Sequence, residues 1–264
     1  MSFEIVEYPE SRLSVIDLGK IGGTRHSMYG LLEIDVSVSR ARLRSLRRQG
    51  REISFTAWMT GTIGRCIADH RLVHALRFGK RSVIAFKEVD IAIMVEREIG
   101  GIPVPLPLLV TSAESKSAEE IDSEIRDAVS QPILDERDFV LGRHKIPRFL
   151  FQLYYRLPDP VRAFILKRLV SNPFRTKALS GTVMLTTVSG VGGSGWIIPT
   201  RGWHNAIFAL GTVSRKPWVA DGAVRIREIL NMTVVLNHDV IDGNPARMFV
   251  QDLVKRIEKG EGTE

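Results

Sequence analysis

Cysteine is nearly absent from this chain: Cys66 stands alone among 264 residues. A single thiol forms no internal disulfide and no cysteine-only metal cluster, and a reducing compartment is the simpler expectation. Cys66 sits among Trp58, Ile63 and Ile67 in an apolar helical pattern, which predicts a buried, inert thiol. Long apolar runs are also missing. No stretch of about 18 apolar residues occurs, so no spanning helix is expected. Residues 1–12 mix charges around Pro9 and lack the basic-then-apolar layout of a secretory signal, so the cytoplasm is the expected location. Metal-ligand spacing is missing too. His26, His70, His74, His144 and His204 are scattered and read as surface or satisfied core histidines, so no metal is expected.

Acidic residues are outnumbered, 30 against 37 Lys and Arg, for a net charge of +7. Such a balance favours anionic partners: nucleic acid, an anionic membrane or a phosphate-rich ligand. The surplus is uneven, with nine Lys/Arg against Asp159 alone between Arg143 and Lys177. No helix-turn-helix, zinc or aromatic-rich RNA-binding pattern accompanies it, which argues against nucleic acid. Phe149, Leu150, Phe151, Leu153, Tyr154 and Tyr155 lie beside these cations. Residues 143–177 therefore offer a possible peripheral membrane contact, although packing on the domain or a neighbouring subunit is the plainer reading of the same aromatics.

What is present is an ordinary globular composition, 44% hydrophobic and 25% charged. Residues 27–38 read as a strand, and Ser39 as the cap of a basic helix over 40–49 ended by Gly50. Residues 54–76 read as one long helix, and 82–86 and 89–95 as strands. Residues 102–110 carry Pro103, Pro105 and Pro107, which predicts an edge strand or extended segment. Ser117 with Glu120 marks a capping box for a helix over 118–129. Proline-broken short helices follow, including 148–156 and 161–170, within a basic helical insertion at about 130–180. Strands are then expected at 181–189, 206–213, 224–229 and 232–236, a Gly/Ser loop at 190–195, and a closing amphipathic helix at 244–259. The pattern reads as a mixed α/β domain spanning residues 1–264.

The last of these strands ends in Asn237-His238-Asp239-Val240-Ile241-Asp242-Gly243. Histidine is the usual proton carrier near neutral pH. A carboxylate four residues on fixes its surroundings, and a glycine allows a sharp turn. A hydrogen-bonded histidine at a strand end is the plainer reading of so short a motif by itself.

Three segments together resemble a known family. Residues 237–249 (NHDVIDGNPARMF), 181–189 (GTVMLTTVS) and 206–213 (AIFALGTV) are similar, in order and spacing, to the catalytic domain of 2-oxo acid dehydrogenase acyltransferases and of the related chloramphenicol acetyltransferases. Weaker similarity covers 29–38 and 89–111. The resemblance implies a chloramphenicol acetyltransferase-like α/β (α+β) sandwich, with a mostly antiparallel or mixed sheet flanked by helices. It implies a homotrimer or a multiple of trimers, with the site in a channel between subunits. Acyl-coenzyme A and an acyl acceptor, of dihydrolipoyl type or another small molecule, would be the substrates. His238 matches the general base and Asp242 the motif aspartate, which in the family pairs with an arginine; Arg25 is the nearest candidate by location. Thr186 matches the hydroxyl that donates to the oxyanion, with Thr187 as the alternative if the register is off by one. Full-length relatives carry lipoyl and subunit-binding domains, whereas this match begins almost at the N-terminus. A stand-alone acyltransferase is therefore expected, with a catalytically inactive trimeric scaffold of the same fold as the alternative.

Overall fold

The computed structural model describes residues 1–5, 11–99, 102–130, 148–188, 194–199, 202–220 and 222–263. After helix α1 (Ser11–Gly22), strand β1 (Ser27–Asp35) leads into α2 (Ser37–Arg48) and α3 (Phe55–Asp69). Short strands β2 (Leu76–Phe78) and β3 (Ser82–Ile84) pair with each other, and the long hairpin of β4 (Ile91–Ile99) and β5 (Ile102–Val110) precedes α4 (Ala118–Ser130). Three helices follow, α5 (Arg148–Arg156), α6 (Asp159–Val170) and α7 (Pro173–Ser180). The chain closes with β6 (Val183–Thr187), β7 (Ala206–Ala220), β8 (Ala223–Asn237) and α8 (Gly243–Lys259).

The main sheet has the order β1-β8-β7-β6-β4-β5. β6 runs parallel to both β4 and β7, and the other neighbours are antiparallel, which makes the sheet mixed. β5 is an edge strand, as its prolines require. Pro103, Pro105 and Pro107 occupy alternate positions, so their missing N–H groups fall on the side away from β4. Alternate residues of the sheet face a helical layer: Leu230, Met232 and Val234 of β8 and Phe208 of β7 pack in one core with Trp58 and Ile63 of α3 and Phe249 and Leu253 of α8.

The capping box forms as its residues predict: Glu120 N–H donates to Ser117 Oγ at 3.2 Å and Ser117 N–H to Glu120 Oε2 at 2.7 Å. Other boundaries differ. Asp35 Oδ1 accepts from Ser37 N–H, so α2 starts two residues before Ser39. Ser39 is a buried residue inside α2, and its hydroxyl donates to Ile257 O at 2.6 Å, tying α2 to α8. The helix expected to reach residue 76 stops at Asp69, because His70 leaves helical geometry and residues 71–74 tighten into a 3-10 turn before β2 pairs with β3. The strands expected at 224–229 and 232–236 are one, since Leu230 and Asn231 stay in the ladder, and a bulge between Leu210 and Val213 absorbs the mismatch with β7. α7 is a further short helix of the proline-broken stretch, and Asn172 caps it by accepting from Phe174 and Arg175 N–H; α1 lay outside the sequence expectations. Most of the Gly/Ser loop expected at 190–195 lies outside the described residues.

Candidate active site

His238 follows the last residue of β8, where the strand leaves the sheet. Its backbone N–H donates to His26 O at 2.7 Å, and its imidazole is half exposed. Beneath it lies a chain of polar contacts drawn from three strand ends. Arg25 Nη1 donates to Asn205 Oδ1 at 2.5 Å, and Asn237 Nδ2 donates to the same oxygen at 3.0 Å. Asn205 Nδ2 donates to Ala75 O, and Asn205 O accepts from Asn237 N–H at 2.9 Å. Asn237 Oδ1 and O then accept from the backbone N–H groups of Asp239, Val240 and Ile241. The whole 237–241 turn is thereby hydrogen-bonded to the ends of β1 and β7. His26 Nδ1 lies 2.7 Å from Asp239 Oδ1, which fixes the outer side of the turn. Burial lowers the Arg25 pKa to about 10, the Asp239 charge opposing the shift, so Arg25 stays a cation at neutral pH.

Asp242 stands otherwise than the motif alone suggests. Its carboxylate is 88% exposed and 3.9 Å from His238 Nδ1. It occupies the N-cap position of α8 without a side-chain cap bond, and no described arginine forms an ion pair with it. The pairing of Arg25 with Asp242 is replaced by Arg25 with Asn205. Gly243 has no positive φ; it is the first residue of α8, and a Cβ there would meet open space. The turn is made by Asn237, not by the glycine.

Thr186 lies in β6, half-buried, paired with Ala209 of β7, which pairs with Thr233 of β8. These three share a row on the sheet face opposite the helices. His238 is five residues beyond Thr233, which is roughly 16 Å along the strand and two strands, about 10 Å, across from β6. One chain therefore does not bring Thr186 to His238. Thr187, on the alternate face, is exposed.

The Thr186 face has unmet polar groups. Thr233 Oγ1 and Asn231 Nδ2, two residues apart on β8, are buried without a partner, as is Thr212 Oγ1 in the bulge. Gly211 lies so close to Gly195 O and Asn231 O, 2.8 Å from an ideal Cβ, that no larger residue fits. The chain at 194–199 therefore presses onto this face, and Trp196 Nε1 donates to Leu32 O at 3.2 Å.

Two further histidines are deeply buried. His204 donates through Nε2 to Ser180 O at 2.9 Å, and His74 Nδ1 meets Thr182 Oγ1 at 2.8 Å. Burial depresses the pKa of both to about 4, so both are neutral at pH 7. A third, His70, is brought to Cys66 and Asp252, with one ligand-type atom from each within 4.8 Å of the others. The sequence signal was the four-residue spacing of Cys66 and His70, which falls across the end of α3. The Asp252 Oδ2 atom already meets Arg256 Nε at 3.1 Å and Nη2 at 2.9 Å, and burial pushes the Cys66 thiol above its ordinary range. The trio ties α3 to α8. A cleft of about 610 Å³ opens beside it, lined by His70, Leu72, Ile241, Pro245 and Met248.

Residues 179–263 match the model of the 2-oxoacid dehydrogenases acyltransferase (catalytic domain) family. The chain resembles these acyltransferases. No curated protein sequence matches it. Among solved structures, the acyltransferase fold is shared with the dihydrolipoamide acetyltransferase of Azotobacter vinelandii, at 15% identity and TM-score 0.69 over 98% of this chain and 94% of that one. That enzyme's structural work concerns the catalytic roles of a serine, a histidine and an asparagine. A truncated catalytic core of the 2-oxoacid dehydrogenase multienzyme complex from Thermoplasma acidophilum aligns at 18% identity and TM-score 0.67, covering 98% of this chain and all of that one. A probable dihydrolipoamide acetyltransferase from Listeria monocytogenes aligns at 13% identity and TM-score 0.67, covering 98% and 95%. The mixed sheet and flanking helices are thus the fold of these acyltransferase cores from end to end.

Proposed function

We propose that this protein transfers an acyl group between coenzyme A and a thiol or other small acceptor, with His238 as general base, at a site completed by a neighbouring copy in a trimer or a multiple of trimers. One observation carries the reading. In the Azotobacter enzyme the named serine precedes the histidine by 52 residues and the asparagine follows it by four. Here Thr186 precedes His238 by 52 residues and Asp242 follows it by four. A dihydrolipoyl-type acceptor is the first candidate, because the similar structures carry that group in their names.

In this reading His238 takes the proton from the attacking thiol. The sulfur adds to the thioester carbonyl, and the tetrahedral oxyanion accepts a hydrogen bond from the Thr186 hydroxyl. Collapse expels the coenzyme A sulfur, which regains the proton from the imidazolium. A positioned base supplies roughly 100- to 10,000-fold. One oxyanion donor supplies about 2.7–4 kcal/mol in a dry site. The distance between Thr186 and His238 within one chain supports a site shared between copies. So do the unpartnered polar atoms on the Thr186 face and the exposed Tyr29 and Leu31 at its β1 border. The cationic surplus suits the anionic phosphates of coenzyme A.

The test is release of free thiol from acyl-coenzyme A with dihydrolipoamide or a panel of small acceptors. Turnover that His238→Ala reduces by at least 100-fold is the expected result. No turnover above that variant with any donor and acceptor would refute the proposal and leave the inactive scaffold.

A further inference from the structure

Helices α5 and α6 expose large apolar side chains. The one buried side chain of α6 is an arginine, Arg162, whereas Val161, Phe164 and Ile165 are 41%, 69% and 41% exposed. In α5, Tyr155 is buried, whereas Phe149, Leu150 and Leu153 are 67%, 45% and 53% exposed. The inward side places polar contacts to α1 beside half-buried Ala163, Leu166 and Leu169. Arg162 Nε donates to Asp17 Oδ2 of α1 at 2.8 Å, Tyr154 Oη donates to the same oxygen at 3.0 Å, and Lys20 Nζ reaches Asp159 at 3.1 Å. A helix packed on a globular core normally keeps side chains of this size off its solvent side. Clustered exposed side chains of this size mark a contact surface.

The charges around this face say what it fits. Positions 149, 153 and 156 lie along one side of α5, and 161, 164, 165 and 168 along one side of α6, so each apolar stripe runs into a cation, Arg156 or Arg168. Lys167 and Arg175 are exposed nearby, and none of these four makes an ion pair with a described acid. Between residues 148 and 180 the sole acid is Asp159, already held by Lys20 and Arg162. A symmetric contact with a second copy would set these unpaired cations against each other. Phenylalanine, leucine and isoleucine flanked by Lys and Arg are the composition of a helix lying in a lipid interface.

We propose that the α5–α6 face docks the protein on an anionic membrane surface, inserting Phe149, Leu153 and Phe164 among the lipids while Arg156, Lys167, Arg168 and Arg175 meet the headgroups. The proposal is independent of acyl transfer.

Flotation of the full chain with vesicles of phosphatidylcholine, with and without phosphatidylglycerol, tests it. Binding to the anionic vesicles alone, weakening as salt rises, is the expected result. Each cation near the surface is worth about 5-fold in affinity, so Lys167→Ser with Arg168→Ser lowers it ~30-fold. Phe149→Ser with Phe164→Ser removes binding while leaving the melting temperature unchanged, because both rings are exposed. His238→Ala binds like the parent. Absence of flotation, equal binding to neutral vesicles, or indifference to the Phe pair would overturn the proposal. Equal capture by soluble polyglutamate would also overturn it. So would a change of oligomeric mass in the Phe variant without lipid, which would make the face a contact between copies.

Discussion

Among the described residues no side chain hydrogen-bonds the His238 ring, but the backbone that carries it is held firmly. Asn205 is the hub, with one oxygen receiving Arg25 and Asn237 and its amide reaching Ala75. Asn205→Ala leaves Arg25 buried against no acceptor and unpins the turn. It is expected to lower kcat about 10- to 100-fold while coenzyme A affinity stays near that of the parent, a split that steady-state kinetics with calorimetric binding resolves. Thr186 has a sharper test, because the chemistry needs a hydroxyl. Thr186→Val should lose roughly 100- to 1,000-fold in kcat, and Thr186→Ser should retain most of it. His74 and His204 set the acid stability. Their folded pKa, about 4, lies below the ordinary 6.5, so between these values the unfolded chain binds the extra protons. Stability from this source is full above pH 6.5 and is lost as pH falls toward 4, each ring costing ~1.4 kcal/mol for every pH unit of the fall. Denaturant midpoints measured across that range should fall steeply, and His204→Gln should flatten the fall.

The α1–α6 contact is polar at its centre. The Asp17 side chain is fully buried and that of Arg162 only 5% exposed. Burial works to raise the Asp17 pKa, but the hydrogen bonds from Arg162 and Tyr154 prevail and hold it below its ordinary value. Arg162→Met leaves a buried carboxylate short of its cation and should cost about 3–5 kcal/mol, read as faster amide exchange in α1 and α6. Restoring exchange protection with Asp17→Asn in the same chain is expected, since the amide needs no counter-charge. The apolar residues of α6 stand on all its sides, so its sequence alone does not say which side turns inward.

A site divided between copies has a consequence that a single-chain site lacks. Chains with Thr186→Val keep His238, and chains with His238→Ala keep Thr186. If unfolded mixtures of the two are refolded together, about a quarter of the sites in random trimers pair a native histidine with a native threonine. Activity should therefore reappear on co-refolding, although each variant is nearly inactive by itself. Failure to recover activity from mixed oligomers of proven composition would place the whole site in one chain.

Much of the framework was legible in the residues. The prolines of β5 dictate an edge, the Ser117 and Glu120 pair dictates a helix start, and Phe249, Leu253 and Ile257 mark the buried face of α8. These signals are local: a missing N–H, a capping oxygen and a helical repeat act within one or two turns. The spacing of Thr186, His238 and Asp242 was legible too. Beyond local reach the sequence misled or was silent. It offered Arg25 to Asp242, whereas folding delivers Arg25 to Asn205, a residue 180 positions away. It split β8 at Asn231, because a polar residue in the chain gives no sign that neighbouring strands will hold its backbone. Local chemistry thus determined the elements and the residue types from which the proposed site is drawn. Only the tertiary structure decided which strand ends meet beneath His238, how far Thr186 stands from it, and which face of α6 turns outward, because each depends on groups that are distant along the chain and adjacent only once the sheet has formed.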